Sequence, residues 1–137
     1  MQKPLAPDIS TWPEADPQLV GSHCAGCDAT VFPAQPRCPA CSGDQMSRAL
    51  LPRTGTLVAW TTQGFPPGPP YLGPAGKEFV PFGVGLVQLG DVVRVEGRLT
   101  ESDPDKLQFG MPVALTMIPF ASDADGNEII TFAFQPV

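Results

Sequence analysis

At 137 residues and 14.5 kDa, the chain has room for one domain, or one domain with a small appendage. Charged residues are only 16%, and 18 prolines with 14 glycines form nearly a quarter of the chain. That balance argues against long helices, because proline blocks a helix interior. Eight scattered Lys and Arg residues against 14 Asp and Glu leave a net charge of −6, without the dense basic face that phosphate backbones require. No apolar stretch reaches the length of a membrane span, and Pro4, Pro7, Asp8 and Pro13 leave no apolar signal-peptide core, so a soluble cytoplasmic protein is expected.

In chain order, residues 1–20 read as a proline-rich acidic arm, with Trp12 pinning it to its own domain or anchoring a partner. Residues 21–50 hold all four cysteines and read as a small metal-bound lobe. From residue 51 to 137 the pattern becomes that of strands. Gly55–Gln63 is rich in β-branched and aromatic residues. Gly64–Gly76 follows as a long irregular loop, of the kind that is usually functional or disordered.

Val80–Leu89 and Asp91–Thr100 read as the next two strands, joined by a tight turn at Gly90-Asp91. In the latter, Val93, Val95 and Leu99 share one face, while Arg94, Glu96 and Arg98 share the other; Gly97 predicts a bulge or bend. Asp103–Asp105 reads as a turn. Val113–Ile118 and Ile129–Phe134 complete five strands, joined by Asp123–Asn127, whose glycine stands too early for a calcium loop. Five short strands after a cysteine-rich head predict a mainly β protein: a small metal lobe followed by a five-stranded, OB-like barrel, since closure removes unpaired edges.

Cys24 and Cys27 form one C-x-x-C pair and Cys38 and Cys41 another, ten residues apart. Two tight turns of this kind aim four thiolates at one ion. Structural zinc is the leading reading; rubredoxin-like iron uses the same ligands, and disulfides suit an oxidising compartment. Four protein ligands leave no open position for catalysis. His23 is expected to be a bystander, and Val31 and Phe32 to pack beneath the knuckles. No G-x-S-x-G, P-loop, dinucleotide fingerprint or H-E-x-x-H motif occurs, so no catalytic residue is assigned.

The stretches Cys24-Ala-Gly-Cys27, Phe32-Pro33, Arg37-Cys38-Pro39-Ala40-Cys41, Gly55-Thr56-Leu57-Val58, Pro81-Phe82, Val87-Gln88-Leu89 and Phe109-Gly110-Met111-Pro112-Val113 occur in this order. Together, from about Val20 to Pro119, they resemble the acyl-CoA-associated OB-fold family with an N-terminal rubredoxin-like zinc ribbon, the domain of unknown function of the thirty-five type. Asp28 stands where that family usually has glycine, a substitution the left-handed conformation tolerates. Ala34 replaces the second of two prolines, and the helical segment common before the ribbon is short, with Trp12 its remnant.

The resemblance implies a non-catalytic accessory subunit of a thiolase-superfamily enzyme, such as a lipid-transfer-protein-like aldolase or a thiolase. It would help form an acyl-CoA site, for example for a steroid side chain, in a hetero-oligomer without nucleic acid or membrane. A hot-dog-fold enoyl-CoA hydratase is the alternative partner. The same resemblance points to the long loop, with Phe65, Tyr71 and Lys77 at or near it, as a cover for the pantetheine channel of the bound CoA thioester. Lys77 and Arg53, then Arg94 and Arg98, are the expected phosphate contacts. A separate reading is a single-strand nucleic-acid binder that stacks bases on Trp60, Phe65, Tyr71 and Phe82.

Overall fold

The computed structural model describes residues 1–68, 71 and 73–137. Strand β1 (Gln2–Pro4) precedes a three-stranded sheet of β2 (Val20–Cys24), β3 (Thr30–Val31) and β4 (Met46–Leu50), in which β2 is central. The barrel strands are β5 (Thr54–Gln63), β6 (Phe82–Leu89), β7 (Val93–Leu99), β8 (Pro112–Ser122) and β9 (Glu128–Pro136). They run in the circular order β5-β6-β7-β9-β8 and return to β5, so the sheet closes on itself. The protein is thus mainly β, a five-stranded barrel behind an N-terminal ribbon, as the sequence predicts.

Closure is uneven. Strands β8 and β9 pair over nearly their whole length, whereas β7 and β9 meet only at Arg98–Ala133 and Leu99–Phe134. The β1 strand covers the start of β9 by pairing with Glu128–Ile130. Alternation fills the interior: Leu57, Val87, Leu89, Val95, Leu99, Val113, Leu115 and Phe134 are each no more than 2% exposed. Burying a side chain of this size contributes about 1.5–3 kcal/mol.

Leu19 and Leu51 join the same core from outside the barrel, and the Leu51 N–H donates to the Leu19 carbonyl at 2.9 Å. These residues lie just before and just after the ribbon, so both its ends are stapled to the barrel. The arm is tied by backbone bonds from Thr11 to Gln18 and from Val20 to Ile9. It contains turns and bends, not the helical remnant expected around Trp12. No helix among the described residues is long and apolar enough to cross a membrane.

Two local expectations change. The β6–β7 register is unbroken from Gly83–Leu99 to Leu89–Val93, so Gly97 marks no bulge. It is glycine because a Cβ there would stand 2.9 Å from ring carbons of both Phe132 and Phe134. The irregularity sits instead in β5 between Leu57 and Ala59. It sets Trp60 opposite Gly85, where the indole packs on the core. The β6–β7 turn holds Val92 as well as Gly90-Asp91, and the left-handed φ of 56° falls on Gly90.

Candidate metal centre and the loop side of the barrel

The two C-x-x-C segments fold into matching knuckles. In the first, the Asp28 N–H donates to the Cys24 carbonyl at 2.8 Å and the Cys24 N–H to the Ala29 carbonyl at 2.8 Å. In the second, Ser42 donates to Cys38 at 2.8 Å and Cys38 to Gly43 at 2.9 Å. Each turn needs a left-handed residue just past its second cysteine: Asp28 has φ 68° and Ser42 φ 63°. Asp28 therefore takes the conformation expected of it, and Ser42 is its unpredicted counterpart.

All four Sγ atoms lie within 4.8 Å of one another. Cys24 and Cys41 are 3.7 Å apart, Cys27 and Cys38 3.5 Å. Tetrahedral sulfurs about 2.3 Å from zinc stand roughly 3.8 Å apart, so the donor set fits such an ion. The spacing is far beyond a disulfide bond of about 2.05 Å. Cys24 and Cys38 are buried, while Cys27 and Cys41 face solvent.

Electrostatics in the metal-free set favour a cation. The Ala29 N–H lowers the Cys27 thiol, but the neighbouring sulfurs of Cys38 and Cys41 outweigh it and push Cys27 up to about 12. The Cys41 N–H is the main influence on Cys38 and holds it down to about 7. Four thiolates this close repel one another unless a cation stands among them. The surroundings hold the knuckles still: the Arg37 guanidinium donates to the Ser42 carbonyl at 3.2 Å, and buried Ser22 exchanges hydrogen bonds with the Gln35 backbone. His23 turns to Asp28, at 2.7 Å, and stands outside the sulfur set.

Phe32 does not pack beneath the knuckles. Its ring meets Phe132 edge-on at 5.9 Å, and Phe132 meets Phe134 at 6.0 Å. The ribbon thus lays an aromatic residue against the flank where β7 and β9 barely pair. No local pattern announces this contact, since a hundred residues of chain lie between the partners.

The expected CoA residues fall in different places. Arg53 donates from Nε to the Pro17 carbonyl at 2.9 Å and borders a cavity with Trp12, Glu14 and Met117. Lys77 is exposed in a single 3-10 turn, Gly76–Glu78. Phe65 is 71% exposed, and its carbonyl accepts from Gln63. Tyr71 donates to the Pro74 carbonyl at 3.1 Å and meets Phe120 edge-on. Arg94 donates to Gln88 at 2.8 Å. Arg98 lies 4.1 Å over the Phe82 ring and borders the same cavity as Tyr71. Pro69, Pro70 and Leu72 of the long loop lie outside the described residues.

Family models match the chain twice: a rubredoxin-like zinc ribbon domain of ChsH2 over residues 11–47 and the C-terminal OB-fold domain of ChsH2 over residues 49–117. A probable enoyl-CoA hydratase alpha subunit of Thermomonospora curvata is 32% identical over 110 residues, covering 79% of this chain. The chain spans about a third of that relative's length, 32%. A DUF35 domain-containing scaffold protein of Pyrococcus furiosus is 27% identical, with 88% of this chain and 84% of that protein covered. Among solved structures, an Ltp2-ChsH2(DUF35) aldolase chain matches with a TM-score of 0.62 and 28% identity, covering 87% of this chain and 84% of that one. With the ribbon's four sulfurs converged and the barrel closed behind them, the chain belongs to the ChsH2 (DUF35) family of rubredoxin-like zinc ribbons joined to an OB-fold.

Proposed function

We propose that the chain is a non-catalytic scaffold subunit that docks on a thiolase-superfamily enzyme of the lipid-transfer-protein kind and helps form its acyl-CoA site. The observation that carries this reading is the near end-to-end likeness to a chain of the Ltp2-ChsH2(DUF35) aldolase. Two DUF35 scaffold relatives, from Pyrococcus furiosus and Methanothermobacter thermautotrophicus, support it. In this reading the partner supplies the reactive base or cysteine and cleaves a carbon–carbon bond of a bulky acyl-CoA, such as one bearing a steroid side chain. The zinc orders the ribbon and takes no part in the reaction, because its four sulfur ligands leave no open position. Phe65, Tyr71 and Lys77, on or beside the long loop, cover the pantetheine channel. Reduced thiols suit a cytoplasmic setting.

Co-expression with a lipid-transfer-protein-like aldolase of the same genome tests this. One stable complex in size exclusion is expected, with cleavage activity that the aldolase alone lacks; independent elution at micromolar concentration overturns it. The Thermomonospora curvata likeness favours a second reading, in which the partner is an enoyl-CoA hydratase. The same experiment with a hot-dog-fold hydratase decides between them.

A further inference from the structure

The outer wall of the barrel carries two adjoining cavities that meet at Arg98. Arg98 sits opposite Val84 on β6, and its guanidinium reaches diagonally to stack on Phe82. One cavity, about 320 Å³, is bordered by Val80, Phe82, Arg98, Thr100, Ser102 and Ile118. The other, about 210 Å³, is bordered by Tyr71, Glu78, Phe79, Arg98, Pro119 and Phe120.

The first cavity thus offers hydroxyls and the second rings, with one cation between them. Arg98 is half-buried, and among the described residues it makes no ion pair or hydrogen bond. Burial pulls its pKa below the ordinary guanidinium value, though the group stays charged. A desolvated cation without a carboxylate beside it is costly unless something anionic arrives. A guanidinium stacked on an aromatic face keeps its N–H edge free for a planar, bidentate acceptor. Among the described residues, Glu78 is the one carboxylate bordering either cavity. It repels a second anion on the aromatic side and favours a ring that presents N–H donors there.

We propose that Arg98 anchors a phosphoryl group carried on a planar amino-heterocycle. The phosphoryl oxygens meet the guanidinium and the hydroxyls of Thr100 and Ser102. The ring lies against Tyr71, Phe79 and Phe120, with its amino group toward Glu78. For the ligand's identity this rests on the acyl-CoA reading above, because CoA ends in an adenosine 3′-phosphate. It moves the phosphate contact to Arg98 from Lys77, which is exposed, and from Arg53, whose Nε is engaged by Pro17.

The test is NMR titration of the full-length, zinc-loaded chain with adenosine 3′,5′-bisphosphate, adenosine, and inorganic phosphate. Saturable shifts should centre on Tyr71, Phe79, Arg98 and Thr100 for the bisphosphate. Adenosine and phosphate alone should each bind at least about tenfold more weakly, and Arg98→Gln should weaken the bisphosphate by about tenfold or more. Arg48→Gln, at an exposed ribbon position away from both cavities, should leave it unchanged. Shifts centred elsewhere, no saturation at millimolar nucleotide, or an Arg98→Gln protein that binds as well as the parent overturns the proposal. Should Arg98→Gln fail to fold, the map on the parent chain decides. Nucleotide failure with intact co-elution removes only this site; lost co-elution with intact nucleotide binding removes only the scaffold reading.

Discussion

The ribbon and the barrel reach order by opposite means. The barrel buries Phe134, four leucines and three valines from its own strands, a contiguous apolar core. The ribbon contributes almost nothing of that kind: its buried residues are Val20, Gly21, Ser22, Cys24 and Cys38. Its order comes from four sulfurs around one point and from two leucines, Leu19 and Leu51, lent to the barrel core. A lobe of this sort folds when its ion binds, because the ligand set does not exist in the unfolded chain. A hydrophobic barrel needs no such ion. The lesson is that one chain can couple a metal-dependent element to a metal-independent one through a few shared contacts.

The largest test of that contrast is Cys38→Ser. It should abolish metal binding and loosen the backbone around the exposed Arg37 and Arg48 so that trypsin cuts there, while the barrel keeps its strand signature in circular dichroism. Retained zinc at full stoichiometry contradicts the assignment.

Acid should act almost as strongly. Metal entry expels thiol protons, and in the metal-free set Cys38 titrates near about 7 and Cys27 near about 12. Raising the pH through that window removes competing protons and strengthens binding; lowering it below 7 adds the Cys38 proton to the competition. Chelator competition should therefore show affinity falling by about tenfold or more per pH unit on acidification. The absorbance of the loaded protein separates the metals, since ferric tetrathiolate is red and zinc colourless.

On the barrel side, Phe134→Ala should cost about 3–5 kcal/mol in denaturant unfolding, with metal stoichiometry unchanged in the folded protein. Phe132→Ala should cost less, about 2 kcal/mol because the site is only half-buried. Its distinctive result is a melt in which the ribbon and barrel steps begin to separate, since the Phe32–Phe132 contact joins them together with Leu19 and Leu51. A single cooperative transition would refute that coupling.

The smallest effect concerns the Asp123–Asn127 turn. The Asn127 side chain, and then its backbone N–H, hold the Asp123 carboxyl below its usual value. A depressed folded pKa means stability present above the unfolded value and lost as pH falls through the folded one. Asp123→Ala should therefore lower the melting temperature slightly at pH 7, and the difference from the parent should shrink as acidification protonates the carboxyl.

The four ligands, the five barrel strands and their inward faces are legible in the sequence because their causes are local. A C-x-x-C turn carries its own geometry, and an alternating run such as Val93–Leu99 sorts itself by period two. Gly97 was legible as special but not for the right reason: the rings that demand it arrive from β9, beyond the next strand. Likewise nothing near Arg98 in the chain announces Tyr71 or Phe120, which the barrel's curvature brings to the same cavity.

The amino-acid order alone thus determined the four-sulfur ligand set, the number of barrel strands and the fold family. Tertiary structure decided where the ribbon's phenylalanine goes, how weakly β7 and β9 close the barrel, and which cation stands without a carboxylate beside it. The reason is physical: ligand spacing and side-chain alternation are properties of neighbours, whereas burial and charge pairing belong to residues that only folding brings together.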